Sequence, residues 1–318
     1  MRLAVLTSGG DAPGMNAAVR AVVRRGLAAD HEVLAVSHGY AGLLAGQYVP
    51  MTPGSVGDVI HRGGTILRSA RSESFRDPAV RAAAIALARQ QGIAGLVVVG
   101  GGGSLRGALA IDAEGLPTVG IAASIDNDVW GTDRAIGFDT AVNTVLDAIN
   151  RVRDTASSHG RVFVIEVMGR DTGHIALAAG LAGGAESILI PEVPYDLAEV
   201  AERVRRGRER GKTHSIVVVA EGAGRAFDIG ASLQADTGLE TRVTVLGYIQ
   251  RGGAPSAADR YLGCRLGAAA VDALAAGHHG VGVHLAGEEV SEVPLAEVAS
   301  HRRDIDLAAY RLAAVLAQ

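Results

Sequence analysis

A two-domain α/β chain built on Rossmann-like, doubly wound parallel sheets is the fold class this sequence predicts, and three observations carry it. The 318 residues are too many for a typical single domain and comfortable for two of about 150 each. Short apolar runs rich in Val and Ile alternate with amphipathic segments of helical length along the whole chain. The 43 glycines gather at the ends of those apolar runs, where tight turns and close ligand approach need them.

The strands expected in order are Arg2–Leu6, Glu32–Val36, Leu96–Val99, Thr118–Ala122, Val162–Val167, Ser215–Ala220 and Arg242–Leu246. They lack polar alternation, as strands covered on both faces do. Helices are expected over Met15–Ala28, Pro78–Gln91, Thr140–Thr155, Asp196–Arg210, Ser256–Ala276 and Leu307–Leu316. Such alternation implies parallel sheets. The glycine loops concentrate before about residue 138, so 1–138 is expected to bind nucleotide and 139–304 to bind substrate. The C-terminal helix, about 305–318, is expected to return to the first domain.

Composition narrows the function. Net charge is −4, which argues against a basic nucleic-acid surface. Lys212 is the one lysine among 30 basic residues, which fits either genome composition or a use of arginine for bidentate phosphate binding. The one cysteine, Cys264, excludes a disulfide framework and reads as inert core. The apolar N-terminal stretch is too short for a signal peptide, and no run approaches the ~18 residues of a membrane span. A soluble, cytoplasmic protein is expected.

Three loops sit where open α/β sheets bind ligands, at the carboxyl ends of strands. The first, Thr7–Asn16, has paired glycines before a helix and can cradle an anion, or be a plain tight turn. It has neither a P-loop nor a GxGxxG pattern. In the second, Gly100–Ser104, four glycines are more than a turn needs, and Ser104 is expected to cap the next helix. The third, Ser124–Asp128, holds two carboxylates at i and i+2, suited either to a general base or to Asx turns. His278 and His279 lack the spacing of a metal pair, and Trp130 is expected to pack beside Asp128.

Together the loops resemble the bacterial ATP-dependent phosphofructokinase family. The similarity continues through Arg62-Gly63-Gly64-Thr65, Ser69-Ala70-Arg71, Gly131-Thr132-Asp133, Ile136-Gly137-Phe138, Glu166–Arg170 and Gln250-Arg251-Gly252-Gly253. The resemblance implies ATP against Gly10, Tyr40, Arg71, Ser72, Gly101, Gly102, Gly103 and Ser104. Gly103 marks ATP rather than pyrophosphate use. Asp126 would be the general base, with Ser124 beside the transferring phosphoryl and Arg71 and Arg170 neutralising charge. Fructose 6-phosphate would meet Ser124, Asp126, Asp128, Met168, Gly169, Arg170, Glu221, Tyr248 and Arg251. Arg161 and Arg242 would reach it from a neighbouring subunit, so a homo-oligomer, usually a tetramer, is implied. Arg20, Arg24, Asp58, Arg153, Glu186, Arg210, Lys212 and His214 match an effector site for ADP or phosphoenolpyruvate, although Pro53 replaces an arginine found there in some members.

The departures cluster. The family's Mg²⁺-holding aspartate is replaced by Gly102, leaving Asp128 as the other candidate ligand. Ala122-Ala123-Ser124 stands for Pro-Gly-Thr, and Tyr248 for a histidine. The readings that follow are a glycolytic 6-phosphofructokinase using ATP; a weakly catalytic or non-catalytic relative that binds nucleotide or sugar phosphate in a regulatory role; or a kinase of a different sugar phosphate.

Overall fold

The computed structural model describes residues 1–70 and 72–317. The chain runs β1 (Arg2–Ser8), α1 (Met15–Ala28), β2 (Glu32–Val36), α2 (Gly39–Leu44), β3 (Tyr48–Pro50), α3 (Pro78–Gln90), β4 (Gly95–Gly100), α4 (Gly102–Ala113), β5 (Thr118–Ala122) and α5 (Phe138–His159). It continues through β6 (Val162–Val167), α6 (His174–Ala182), β7 (Ser187–Leu189), α7 (Leu197–Glu209), β8 (Ser215–Ala220), α8 (Ala226–Thr237) and β9 (Thr241–Val245). It closes with α9 (Ala257–Ala275), β10 (Val281–Ala286), β11 (Glu289–Pro294), α10 (Leu295–Ser300) and α11 (Leu307–Leu316).

Two compact units result: Met1–Thr140 with Arg251–Arg303, and Ala141–Gln250 with Asp304–Gln318. This corrects the partition expected from sequence order. Residues 251–303 rejoin the first unit, because β10 pairs with β5 and α9 packs on α1. The C-terminal helix α11 does not return there; it packs on α6 and β7 of the second unit.

Unit 1 is a seven-stranded sheet ordered β11-β10-β5-β4-β1-β2-β3. Its inner pairs are parallel, as expected, while the edge strands β3 and β11 run antiparallel to their neighbours. Every residue of β4 is buried, the mark of a strand covered on both faces. On one face α1 meets α9 closely because Gly263 and Gly267 carry no side chain. A Cβ on Gly267 would stand 2.5 Å from the Ala18 carbonyl oxygen. From β1 the chain passes to β2 on one side and later to β4 on the other, so the topological switch point lies between β1 and β4.

Unit 2 is a four-stranded parallel sheet ordered β7-β8-β6-β9. Its core is Val162, Val164, Val217 and Val219 packed under Val200, Val204, Ile229 and Leu233. Asp196 caps α7, accepting from the Ala198 amide at 2.9 Å. Among the described residues no helix is long and apolar enough to cross a membrane.

Candidate active site

Strand register brings the three loops to one place. Ser8 is level with Gly100, and Gly100 with Ala122, so the chain leaves β1, β4 and β5 side by side at their carboxyl ends. The glycines are needed there because the loops nearly touch. A Cβ on Gly100 would lie 2.5 Å from the Ser8 carbonyl oxygen and 2.7 Å from the Ser104 side chain. One on Gly101 would lie 3.5 Å from the Ser124 Cβ. Gly14 takes φ +104° where α1 starts, a conformation side chains disfavour.

Helix α4 begins inside the glycine run. Gly101 is its N-cap, and Ser104 lies in its first turn rather than capping it. The Ser104 and Leu105 amides both donate to the Gly101 carbonyl, at 2.9 and 3.1 Å. The earlier amides of this turn have no intrahelical acceptor and form the positive end of the helix. No acidic residue stands in the first turn. Ser104 is buried, its hydroxyl wedged beneath Gly9 and Gly100.

Buried side chains hold this backbone surface. Asn16, wholly buried, donates to the Arg62 carbonyl at 3.0 Å and accepts from the Ile66 amide at 2.8 Å. Thr7 pairs with the Thr65 hydroxyl at 2.8 Å, and Ser69 donates to the Gly9 carbonyl at 2.6 Å. Arg62–Ser69 is thereby fastened to the first loop. Tyr40 is also a support: 6% exposed, it stacks on Phe75 with ring centroids 4.4 Å apart and donates to the Ser104 carbonyl. Burial pushes its phenol pKa far up. The Arg251 guanidinium lies against Gly10, where any Cβ would collide with it. Arg106, one turn into α4, lays its guanidinium over Gly102 and Gly103. Ser72 sits beyond the loop, within hydrogen-bond reach of Ser74 at 3.2 Å. Arg71 lies outside the described residues.

The acidic loop is tied at both ends. Ser124 donates its amide to the Ile136 carbonyl at 3.0 Å and accepts at Oγ from the Asp126 amide at 3.3 Å. Asn127, at φ +53°, accepts from the Ala135 amide at 2.7 Å. Thr132 accepts from the Leu285 amide of β10 at 3.1 Å, and the Arg303 amide donates to the Asp128 carbonyl at 3.1 Å. Asp126 is thus held 7% exposed, and Asp128 half-buried. Trp130 packs beside His301 with the rings tilted by 33° and their centroids 5.1 Å apart. Where the loop feeds α5, buried Asp259 of α9 accepts from the Gly137 and Thr140 amides, each at 2.8 Å. Burial raises the Asp259 pKa, and these bonds pull the other way.

In unit 2 the strand ends converge in the same fashion. After β6 the turn Met168-Gly169-Arg170 takes φ of +139° at Gly169 and +52° at Arg170. Glu221, following β8, accepts from the amides of both, at 3.2 and 2.8 Å. Fully buried Gln250, after β9, accepts from the Met168 amide at 3.2 Å. Tyr248, two residues earlier, is 82% exposed. Gln250, Asn16 and Asp259 were not singled out from the sequence, although the first two lie within fragments that carry the resemblance.

Arg161 and Arg242 are not brought to this end of the sheet. They flank the start of β6 and β9, where Phe163 is level with Arg242. They share Glu240, which Arg161 meets at 2.7 Å. The Arg161 hydrogen bond, with both guanidinium charges, holds the Glu240 pKa low. The residues matched to an effector site divide between the units. In unit 2, Lys212 stands 3.6 Å from Glu186 and donates to the Ala317 carbonyl at 3.1 Å. Arg153 donates to the Gly183 carbonyl, Arg210 ends α7, and His214 precedes β8. Arg20 and Arg24 lie on α1 in unit 1, and exposed Asp58 lies in the segment that follows β3.

No group of three or more His, Cys, Asp or Glu able to hold an ion occurs among the described residues, and Gly102 offers no carboxylate. His278 and His279 pair instead with Glu292 and Asp112, at 3.1 and 2.8 Å.

The phosphofructokinase family model matches residues 2–274. The ATP-dependent 6-phosphofructokinases of Bacillus cytotoxicus and Bacillus mycoides are each 55% identical over 311 residues, covering 98% of this chain and 98% of theirs. The phosphofructokinase structure from Saccharomyces cerevisiae superposes with a TM-score of 0.88 at 39% identity, over 94% of this chain and 45% of that one. A pyrophosphate-dependent phosphofructokinase from Marinobacter aquaeolei gives 0.87 at 26% identity, over 97% of this chain and 86% of its own.

Proposed function

The chain belongs to the phosphofructokinase family, and on that premise we propose which of its residues do what. The activity is glycolytic: ATP phosphorylates fructose 6-phosphate on its 1-hydroxyl to give fructose 1,6-bisphosphate. The observation that carries the assignment of roles is the shared level of Ser8, Gly100 and Ala122. It puts an anion-binding backbone beside a nearly buried carboxylate, Asp126.

Gly10, Gly101, Gly103 and the first turn of α4 receive the phosphates through backbone amides. Ser104 and Tyr40 keep that backbone in place from beneath, and Arg71 and Ser72 are assigned to the same nucleotide. Asp126 takes the proton of the sugar hydroxyl, a role worth roughly 10²–10⁴-fold. Ser124 and Arg170 steady the phosphoryl in flight, since such transfers need positioning and charge neutralisation more than covalent help. Met168, Gly169, Glu221 and Arg251 orient the sugar, with Asp128 and Tyr248 at its margin. Glu221 acts partly by fixing the strained Gly169–Arg170 turn.

An ATP-dependent kinase implies a divalent metal, for which Mg²⁺ is proposed. The described residues do not enclose one, so the ion is expected to arrive on the nucleotide with most of its ligands being phosphate and water. Arg161 precedes β6 and Met168 follows it, about 23 Å away at ~3.3 Å per residue, and Arg242, level with Phe163, lies at the same end as Arg161. That separation supports their service to a neighbouring subunit and a homo-oligomer, proposed as a tetramer. The divided effector set is proposed to bind ADP or phosphoenolpyruvate.

Two measurements test this. ADP release coupled to fructose 6-phosphate should proceed at ordinary kinase rates; no turnover with any phosphorylated hexose would sink the kinase assignment. Mixing inactive Arg161→Ala and Asp126→Asn subunits should regenerate activity if sites are shared. Silence despite demonstrated subunit exchange would place each site within one chain.

A further inference from the structure

Gly102 opens α4, and Arg106 stands at i+4, so the two project from the same side of the helix. A Cβ built on Gly102 lies 3.8 Å from one terminal nitrogen of the Arg106 guanidinium, and one on Gly103 lies 3.8 Å from the other. The guanidinium therefore spans the bare backbone of the first turn. Arg106 is exposed, and it makes no ion pair or hydrogen bond with any other described residue. The nearest acid on α4 is Asp112, almost two turns on, which already accepts from the Thr118 amide at 2.9 Å. The position from which a carboxylate could have neutralised Arg106 is the glycine.

We propose that Arg106 binds the nucleotide phosphates directly and supplies, at the Gly102 turn, part of the charge neutralisation that a carboxylate-anchored metal would otherwise provide. This rests on the reading that the Gly100–Ser104 loop receives the phosphates of ATP. Three features point the same way. A guanidinium offers paired donors that match phosphate oxygens. The helix terminus beneath it is positive. Nothing acidic in this turn competes for it. A carboxylate at position 102 and a cation at position 106 would be one turn apart and would satisfy each other. The loop can thus hold a metal-anchoring acid or a phosphate-binding Arg106 working at full strength, and this chain carries the second.

The inference makes Gly102→Asp harmful here, because the new carboxylate would capture Arg106. It also predicts that ATP without metal binds appreciably. Calorimetric titration of the full-length protein with ATP in EDTA, and again with excess Mg²⁺, reads both. Arg106→Met should weaken metal-free ATP binding about tenfold or more, and binding of the Mg²⁺ complex by less. Arg106→Lys should retain part of the metal-free affinity. Gly102→Asp should lose metal-free affinity about as much as Arg106→Met, and the double variant should lose little more than either alone, a non-additivity expected of coupled sites. Fructose 6-phosphate affinity and the thermal midpoint, measured on the same samples, should hold steady. Metal-free ATP affinity unchanged in folded Arg106→Met, or in Gly102→Asp, overturns the proposal. A folded wild-type protein that binds ATP in neither condition removes the ATP reading itself, and the proposal with it.

Discussion

At the strand ends of unit 1 the surface offered to a ligand is mostly backbone, whereas at those of unit 2 it is a turn shaped by side chains. In unit 1, glycines at 100 and 101 let three loops close on one another, and Asn16, Thr7 and Ser104 brace them from below. In unit 2, one carboxylate, Glu221, gathers two amides, and one carboxamide, Gln250, gathers a third. A backbone-built surface suits an anion of fixed shape such as a polyphosphate, which takes hydrogen bonds from many equivalent amides. A side-chain-built surface suits a sugar, whose hydroxyls need individual partners. The comparison also says how each half fails: the first through lost space, the second through lost charge.

The sharpest break comes from the side chain in unit 1 to which the proposal gives the proton transfer. Asp126→Asn is expected to cut kcat by at least ~10²-fold while leaving the KM values for both substrates within a few-fold. Near-normal turnover would remove Asp126 from its role and leave unit 1 purely a binding surface.

The brace beneath that loop gives the next effect. His284 of β10 is fully buried, and neither ring nitrogen has a hydrogen-bond partner among the described residues. Burial lowers its pKa to about 4 from the ordinary 6.5. Below pH 6.5 the unfolded chain takes up a proton that folded His284 refuses until near pH 4. Stability should therefore decline across that interval, by up to about 3 kcal/mol at its acid end. Urea melts from pH 7 to 4.5 on wild type and His284→Gln check this; an unaltered slope in the variant assigns the acid sensitivity elsewhere.

Lost space is tested by Gly100→Ala, whose methyl would meet the Ser8 carbonyl and the Ser104 side chain. Overpacking of this kind costs about 1–3 kcal/mol, and the ATP KM should rise with the fructose 6-phosphate KM little changed. Lost charge is tested by Glu221→Gln. Weakening two amide hydrogen bonds to a charged acceptor should cost about 1 kcal/mol and raise the sugar KM several-fold, with ATP unaffected. If the two variants moved the same substrate's KM, the contrast between the units would collapse.

How much of this was legible in the sequence follows the same contrast. The strands β1, β2, β4, β5, β6 and β8 fall within a residue or two of their expected ranges, because two-sided burial forces unbroken apolar runs. The glycine loops were legible for the reason that they matter: only a close approach justifies so many. Helix α6, HIALAAGLA, was not, since it is apolar all round and shows no 3.6 period. The three-residue β7 is too short to carry a signal. Helix α4 begins earlier than Ser104 suggests, because Ser104 packs under Gly9 and Gly100 instead of capping. The bracing residues were hidden as well: nothing local tells Asn16 or Gln250 that its partners lie 50 and 82 residues away.

The divided unit 1 has a bearing on how the protein is made. Its sheet waits for β10 to cover the open edge of β5, and its acidic loop waits for Asp259 and Arg303. On the ribosome those parts emerge up to about 160 residues after Thr140, a delay of roughly 10–30 s at common elongation speeds. Throughout that interval β5 offers an unpaired parallel edge, the kind of surface that recruits chaperones or other chains. Nascent chains stalled near residue 250 should be far more protease-sensitive across 118–137 than chains stalled with all of unit 1 clear of the exit tunnel. Equal protection would mean that the edge is shielded before its partner is synthesised.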